Sequence, residues 1–314
     1  MSTLKKPELA MCNNYTKFAV TRKKMIIVAE SGSTKCDWLI SRDNGEVQET
    51  HTIGFNPFFH RPEEILTHLK ANAELSEAAK QVSAVYFYGA GCSSPERNEI
   101  ILTALQQFFT GAHCEVNHDL NASAFATWDG RPAITCIIGT GSNSCYYDGH
   151  TVSEQVPALG YILGDEGSGS YFGKKIVADY LYKRLPAELQ TAFYEQYKLQ
   201  KEEIFHQVYN TNKANVFLAS FMRFIVPHKD HPYMQELVYE GLSRFAEIHI
   251  CCFPNFHEVP VHFVGSVAFY FTEILQRVAA EKGFTLGVID KNPGMSLLKY
   301  HLKRELAHNN AEKA

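Results

Sequence analysis

The chain has 314 residues, 45% hydrophobic and 20% charged, with a formal net charge of −4. That length exceeds one ordinary domain and fits two, and the apolar content is enough for a sizeable core. The slight negative charge leaves no footprint for nucleic acid or an anionic membrane, and no apolar run nears the roughly 20 residues of a spanning helix.

Eight cysteines occur, at positions 12, 36, 92, 114, 136, 145, 251 and 252, and none forms a CxxC pair. Most lie in apolar stretches, and a chain this long does not depend on disulfides, so a reduced, cytoplasmic protein is expected. His249, Cys251 and Cys252 cluster in sequence, but on a helix they diverge around the axis, which favours a buried structural patch over a metal site. Residues 1–24 have few apolar positions, no periodicity and no signal-peptide core, so they read as a mobile leader, with Met25 a candidate start.

Met25 to Ala29 reads as a buried strand. Glu30-Ser31-Gly32-Ser33-Thr34 is a small-residue turn before Lys35, and a second strand runs from Cys36 to Ile40. Asn44-Gly45 is a strong hairpin signal, with Val47 to Ile53 as a third strand. A Walker loop is excluded, since GxxxxGK[ST] and a following helix are both missing. Gly54-Phe55-Asn56-Pro57 is a rigid loop: Asn56 is held extended by the proline, as a sugar-hydroxyl partner or as a plain turn former.

Pro62 to Ala79 and Pro95 to Phe109 have helical apolar spacing, with a strand at Val82 to Tyr88 between them. Cys114 to Asn117 is a short strand that delivers His118 and Asp119 at its carboxyl end, before a small-residue helix over Leu120 to Thr127. Strands alternating with helices after a meander predict a mixed sheet covered by helices, with sites at the strand ends.

Ala133 to Tyr147 is the stretch around which the chain is organised. Cys136-Ile137-Ile138 leads into Gly139-Thr140-Gly141-Ser142, and an apolar run resumes after Ser144. Glycines between strands let backbone N–H groups approach an anion, which suits a phosphate hairpin; an ordinary tight turn is the alternative. Asp148-Gly149 gives another hairpin, so the second half opens with the same meander as the first. Two copies of one fold would face the two Gly/Ser turns across a common cleft.

Next come Gly160 to Ser170, a helix from Ser170 to about Tyr182, and short helical pieces over Ala187 to Ile225. A long amphipathic helix with Met234, Leu237, Leu242, Phe245, Ile248 and Cys252 on one stripe extends this insertion to about residue 258. Val261 to Val264 is a strand, Gly265-Ser266 breaks it, and Val267 to Glu281 is a helix. Phe284 to Val288 is the last strand, and Pro293 to Ala307 a terminal helix.

Taken in order, ESGSTKCDW, the GFNP loop, the strand-end Asp119, GTGSN, LGDEGSG and VGSVAF resemble the N-acetylglucosamine kinase branch of the BadF/BadG/BcrA/BcrD-type ATPases, within the actin and sugar-kinase superfamily. The resemblance runs from Met25 to about Leu306. It implies an α/β fold of two RNase H-like domains of the actin/hexokinase type, each with a mixed five-stranded sheet, and an ATP/sugar cleft between them. The domains would be 25–128 and 129–314, with the terminal helix packing back toward the first.

The resemblance also assigns roles. Gly32, Ser33, Thr34 and Lys35 would be the first ATP-phosphate loop and Gly139, Thr140, Gly141 and Ser142 the second, while Gly265, Ser266 and Val267 would be the adenosine motif. Asp119 would be the general base for a sugar 6-hydroxyl, and Asn56, Asn143, Asp165 and Glu166 would bind the sugar. Asp119 is also a helix N-cap by position, and Asp165 and Glu166 also suit a helix N-terminus.

The first loop of this superfamily usually begins with an Asp that holds Mg²⁺ or its waters. Here that position is Glu30, one methylene longer, so coordination through water is expected. Asp37 is not at the matching position.

The implied function is an ATP- and Mg²⁺-dependent N-acetylglucosamine or related amino-sugar kinase, cytoplasmic and homodimeric, with no nucleic acid or membrane as partner. Two alternatives stand beside it: an activator-type ATPase, whose relatives carry an iron–sulfur cluster, and a catalytically weak sugar or nucleotide sensor.

Overall fold

The computed structural model describes residues 25–32, 35–42 and 44–311. The predicted leader 1–24 and two of the predicted phosphate-loop residues, Ser33 and Thr34, lie outside them.

The first half contributes β1 (Ile26–Ser31), β2 (Lys35–Ser41) and β3 (Val47–Ile53), then α1 (Pro62–Ala71), α2 (Ala73–Ala78), β4 (Ala84–Gly89), α3 (Pro95–Phe108), β5 (His113–His118) and α4 (Asp119–Ala126). The second half opens with β6 (Ala133–Ile138), β7 (Ser142–Tyr147) and β8 (Val152–Ser153). Helices α5 (Gly160–Leu163), α6 (Gly169–Leu181), α7 (Ala187–Tyr197), α8 (Lys201–Tyr209), α9 (Ala214–Ala219), α10 (Met222–Ile225) and α11 (Pro232–His249) follow. The chain ends with β9 (Pro260–Val264), α12 (Ser266–Tyr270), α13 (Thr272–Lys282), β10 (Thr285–Asp290) and α14 (Gly294–Ala311).

Two five-stranded sheets result, ordered β3-β2-β1-β4-β5 and β8-β7-β6-β9-β10. Adding five to each strand number of the first order gives the second. In both, the opening hairpins are antiparallel, and the fourth and fifth strands run parallel to the first. The parallel strands need helical crossovers, which α3 supplies in the first sheet and α12 with α13 in the second.

One face of the first sheet buries Ile27, Trp38, Phe87 and Phe109 with residues from α1, α2 and α3. The other buries Val28, Tyr86 and Tyr88 against Ala122 of α4 and Leu297 and Leu298 of α14. The terminal helix, which follows the last strand of the second sheet, thus packs on the first. Burial on both faces explains why β1 and β4 are almost continuously apolar.

The 62–79 segment is two helices rather than one. Asn72 ends α1 and caps α2, its Oδ1 accepting from Leu75 N at 2.9 Å while its Nδ2 donates to Thr50 Oγ1. Phe271 likewise divides 266–282 into α12 and α13. The short helices between α6 and α11 are part of the second core, where Phe193, Phe221 and Phe224 are fully buried with Phe172 of α6.

Candidate functional site

Both Gly/Ser turns close hairpins. In the first, Gly32 N donates to Lys35 O at 2.9 Å; in the second, Gly139 N donates to Gly141 O at 3.0 Å. The Ser31 hydroxyl accepts from Phe55 N at 2.7 Å and donates to Phe55 O at 3.0 Å, which fixes the GFNP loop to the end of β1. Asn56 Oδ1 accepts from Phe58 N at 2.9 Å, so the predicted turn role of Asn56 is present. Lys35 pairs with Asp37 at 2.5 Å, and this bond, outweighing burial, holds its ammonium above the ordinary range.

An acidic group gathers at the end of β1. The β1–β2 register sets Glu30 opposite Asp37, and the charges of Asp290 and Asp119 also act on Glu30. Burial, then Asp290, Asp37 and Asp119 in that order, push the Glu30 carboxyl up to about 8. Asp290 ends β10, with Oδ1 accepting from Asn292 N and Oδ2 from Ser296 Oγ at 2.8 Å, so the start of α14 holds it in place. Its backbone oxygen accepts from Gly265 N at 2.9 Å.

Gly265, which follows β9, abuts the second hairpin. Its φ is +117°, and a Cβ there would lie 2.4 Å from Ile138 O, so glycine is required on both counts. Ser266 then opens α12 and Val267 is buried beneath it. The LGDEGSG segment wraps the same hairpin: Gly169 N donates to Gly139 O, Ser170 N to Thr140 O, and Ser142 Oγ to Glu166 O at 2.8 Å. Asp165 has a left-handed backbone, φ +57°, and its Oδ1 accepts from Ser142 N at 3.3 Å. Burial raises its carboxyl, partly offset by that bond. The Glu166 carboxylate faces α11, with Oε2 at 3.9 Å from His249 Nε2.

Asp119 begins α4, and its Oδ1 lies 3.0 Å from His118 Nδ1. Burial alone would lower the His118 imidazole, but the bond to Asp119, its charge and that of Glu154 outweigh it and raise it. Asn143 donates through Nδ2 to Glu154 Oε2 at 3.2 Å. His118 and Asn143, from the two halves of the chain, therefore meet around Glu154.

Among the described residues no three His, Cys, Asp or Glu side chains form a ready metal cage, at His249, Cys251 and Cys252 or elsewhere. The Glu30 carboxylate makes no hydrogen bond among them, and its neighbours offer hard oxygen atoms. That donor set fits Mg²⁺, which retains waters and takes only one or two protein carboxylates beside phosphate oxygens. The seven described cysteines are free, and no described helix is long and apolar enough to cross a membrane.

No family model matches the chain, and no curated protein does. Solved structures do. A Porphyromonas gingivalis protein, described as a proposed N-acetylglucosamine kinase, is 37% identical with a TM-score of 0.85; the match covers 90% of this chain and 100% of that one. The chain belongs to the sugar kinases of the actin-like superfamily.

The fold of this sugar kinase is shared more distantly. A proposed N-acetylglucosamine kinase from Chromobacterium violaceum is 15% identical, with a TM-score of 0.69 over 89% of this chain and 99% of that one. A ROK-family glucokinase from Streptomyces griseus, solved with glucose and AMPPNP, is 12% identical, with a TM-score of 0.52 over 87% and 97%.

Three residues that sequence reasoning did not assign lie beside the candidate site. Asp290 was findable from the repeat, since the carboxyl end of β10 corresponds to that of β5, where Asp119 stands. Asp37, set aside by position, reaches Glu30 by cross-strand register. Glu154 lies in a stretch without a motif, and only the fold carries it to Asn143.

Proposed function

We propose that this sugar kinase transfers the γ-phosphoryl group of ATP to the 6-hydroxyl of N-acetylglucosamine or a closely related amino sugar. The observation that carries the reading is the set of carboxylates whose charges act on Glu30 at the end of β1: Asp37 by cross-strand register, Asp290 from the end of β10 and Asp119 from the start of α4. The 37% identity with the Porphyromonas gingivalis protein supports the amino sugar.

In the proposed mechanism Gly32 to Lys35 and Gly139 to Ser142 hold the phosphates, and Gly265, Ser266 and Val267 bound the adenosine. Asn56, Asn143, Asp165 and Glu166 hold the sugar. Asp119 accepts the 6-hydroxyl proton as that oxygen bonds to the γ-phosphorus; the bond to the β–γ bridging oxygen breaks and ADP leaves. Phosphoryl transfer asks for positioning and charge stabilisation more than for covalent chemistry. Glu30, through water, and Asp290 would hold Mg²⁺, which supplies positive charge to the transferring group.

The order of its motifs resembles that of the N-acetylglucosamine kinase branch of the BadF/BadG/BcrA/BcrD-type ATPases, and we propose on that likeness a cytoplasmic homodimer with a domain boundary near residue 128. The test is coupled ADP release with Mg-ATP and N-acetylglucosamine, N-acetylmannosamine, glucosamine, glucose or no sugar. Turnover that depends on one amino sugar is expected. ADP release indifferent to sugar would instead identify an activator-type ATPase, and sugar binding without turnover a sensor.

A further inference from the structure

Glu166 is fixed by its backbone and free at its carboxylate. Ser142 Oγ donates to Glu166 O at 2.8 Å, and the next residue, Gly167, lies so close to α11 that an added Cβ would sit 3.1 Å from Gly241 O and from Phe245 Cβ. The carboxylate makes no hydrogen bond among the described residues. The basic group set against it is His249, the last residue of α11, with Nε2 at 3.9 Å from Oε2.

His249 is buried, its ring stacks on Phe245 with centroids 5.0 Å apart, and its Nδ1 has no partner. Burial holds the imidazole below its ordinary range, opposed by the Glu166 charge, so the ring is neutral near pH 7 and carries one N–H. The proton belongs on Nε2, since that nitrogen has an acceptor before it and Nδ1 has none. An unpartnered buried nitrogen costs stability that a leucine in this core would not, so packing does not account for a histidine here. A separation of 3.9 Å exceeds a hydrogen bond, yet contacts of this kind often tighten only when substrate fills the site.

We propose that His249 is a positioning residue that acts through Glu166: its Nε2–H holds Oε2 and leaves Oε1 to accept from a sugar hydroxyl. The inference rests on the sugar-kinase reading, with Glu166 as a sugar ligand, and deepens it. The imidazole lies behind the carboxylate, in the core of the second half, and does not touch the sugar.

The experiment is initial-rate ADP release with saturating Mg-ATP and varied concentrations of the panel sugar that the wild type turns over fastest. The variants are His249→Leu, His249→Gln, Glu166→Gln and the double variant of Glu166→Gln with His249→Leu. Ile250→Val, which trims the same core, measures the effect of packing alone. His249→Leu should raise KM for the sugar about tenfold, with KM for ATP unchanged. His249→Gln keeps an N–H donor and should stay within about threefold of wild type. In the Glu166→Gln background, His249→Leu should add less than about twofold, because the carboxylate through which His249 acts is gone. Ile250→Val should lower the melting temperature and leave KM for the sugar unchanged. If leucine unfolds the core, His249→Phe, which keeps a ring against Phe245, replaces it in the same comparison.

Independent, multiplying effects of His249→Leu and Glu166→Gln, or a His249→Gln variant no better than His249→Leu, would reduce His249 to a packing residue and leave the kinase intact. A Glu166→Gln variant with the KM of wild type would also overturn the inference. Absence of sugar-dependent turnover in the wild type would overturn the sugar-kinase reading and the inference together.

Discussion

The Tyr88 hydroxyl lies 2.7 Å from Nε2 of His301, a bond between residues 213 apart in sequence that ties the inner strand β4 of the first sheet to α14, the helix that follows the second. His301 is fully buried, stacked 3.7 Å from Tyr86, and its Nδ1 has no partner. Beside it Phe125 of α4 stacks on Tyr300 with ring centroids 4.7 Å apart. This aromatic group joins the two helices that connect the halves of the molecule. Burial, with the Arg304 charge adding, drops the His301 imidazole to about 3, so it is neutral and accepts from Tyr88.

A pH dependence of stability follows. In the unfolded chain His301 takes up a proton near pH 6.5, whereas in the folded chain it does so only near 3. The unfolded state binds more protons between these values, so stability falls as pH drops through that window, by up to ~1.4 kcal/mol per pH unit. His301→Gln should flatten the pH dependence of the urea midpoint between pH 6.5 and 4. A slope unchanged by the substitution would mean that another group controls it.

Asp119→Asn keeps size and hydrogen bonding but cannot accept the proton. Turnover should fall by about 10²–10⁴-fold, with N-acetylglucosamine binding by calorimetry within a few-fold of wild type. Unchanged kcat would remove Asp119 from the mechanism.

Glu30 has the opposite pH sign to His301. Its folded carboxyl sits near 8 against about 4.5 unfolded, so the folded state binds more protons and stability is lost as pH rises through that range. In EDTA, Glu30→Gln should match wild type near pH 5 and exceed it by a few kcal/mol at pH 9. With Mg-ATP the same variant, and Asp290→Asn, should need more Mg²⁺ for half-maximal rate. Melting curves at both pH values and a Mg²⁺ titration check the two halves of this expectation.

Gly265→Ala should impair both stability and ATP use. Gly111 provides the comparison, because its φ of +91° is also left-handed but nothing lies within 4 Å of an added Cβ. Gly111→Ala should cost about 1–3 kcal/mol of backbone strain. At Gly265 the contact with Ile138 O adds to this and pushes the adenosine motif off the second hairpin, which should raise KM for ATP. Equal thermal shifts and equal KM values in the two variants would show that the close approach does not matter.

The local sequence determined a great deal here. Hairpin signals at Asn44-Gly45 and Asp148-Gly149, the Gly/Ser turns and the apolar strands are short-range features, set by glycine's freedom and by period-two burial, so the repeated meander and the mixed five-stranded sheets were readable from the residues and the motif order. Helix breaks were not: Asn72 divides a periodic run because its side chain reaches Thr50 on a neighbouring strand, a contact that no window of sequence contains.

The site divides in the same way. Asp119 and the glycine hairpins stand in recognisable strings, whereas Glu154 lies in none, Asp290 is marked only by its place in the repeat, and Asp37, though inside the first string, is tied to Glu30 only by the cross-strand register. Tertiary structure decided that the charges of three other carboxylates act on Glu30 and that Gly265 abuts Ile138 and Gly139. Charge repulsion, steric approach and desolvation depend on distance in space, and chain folding sets those distances over separations of more than 100 residues.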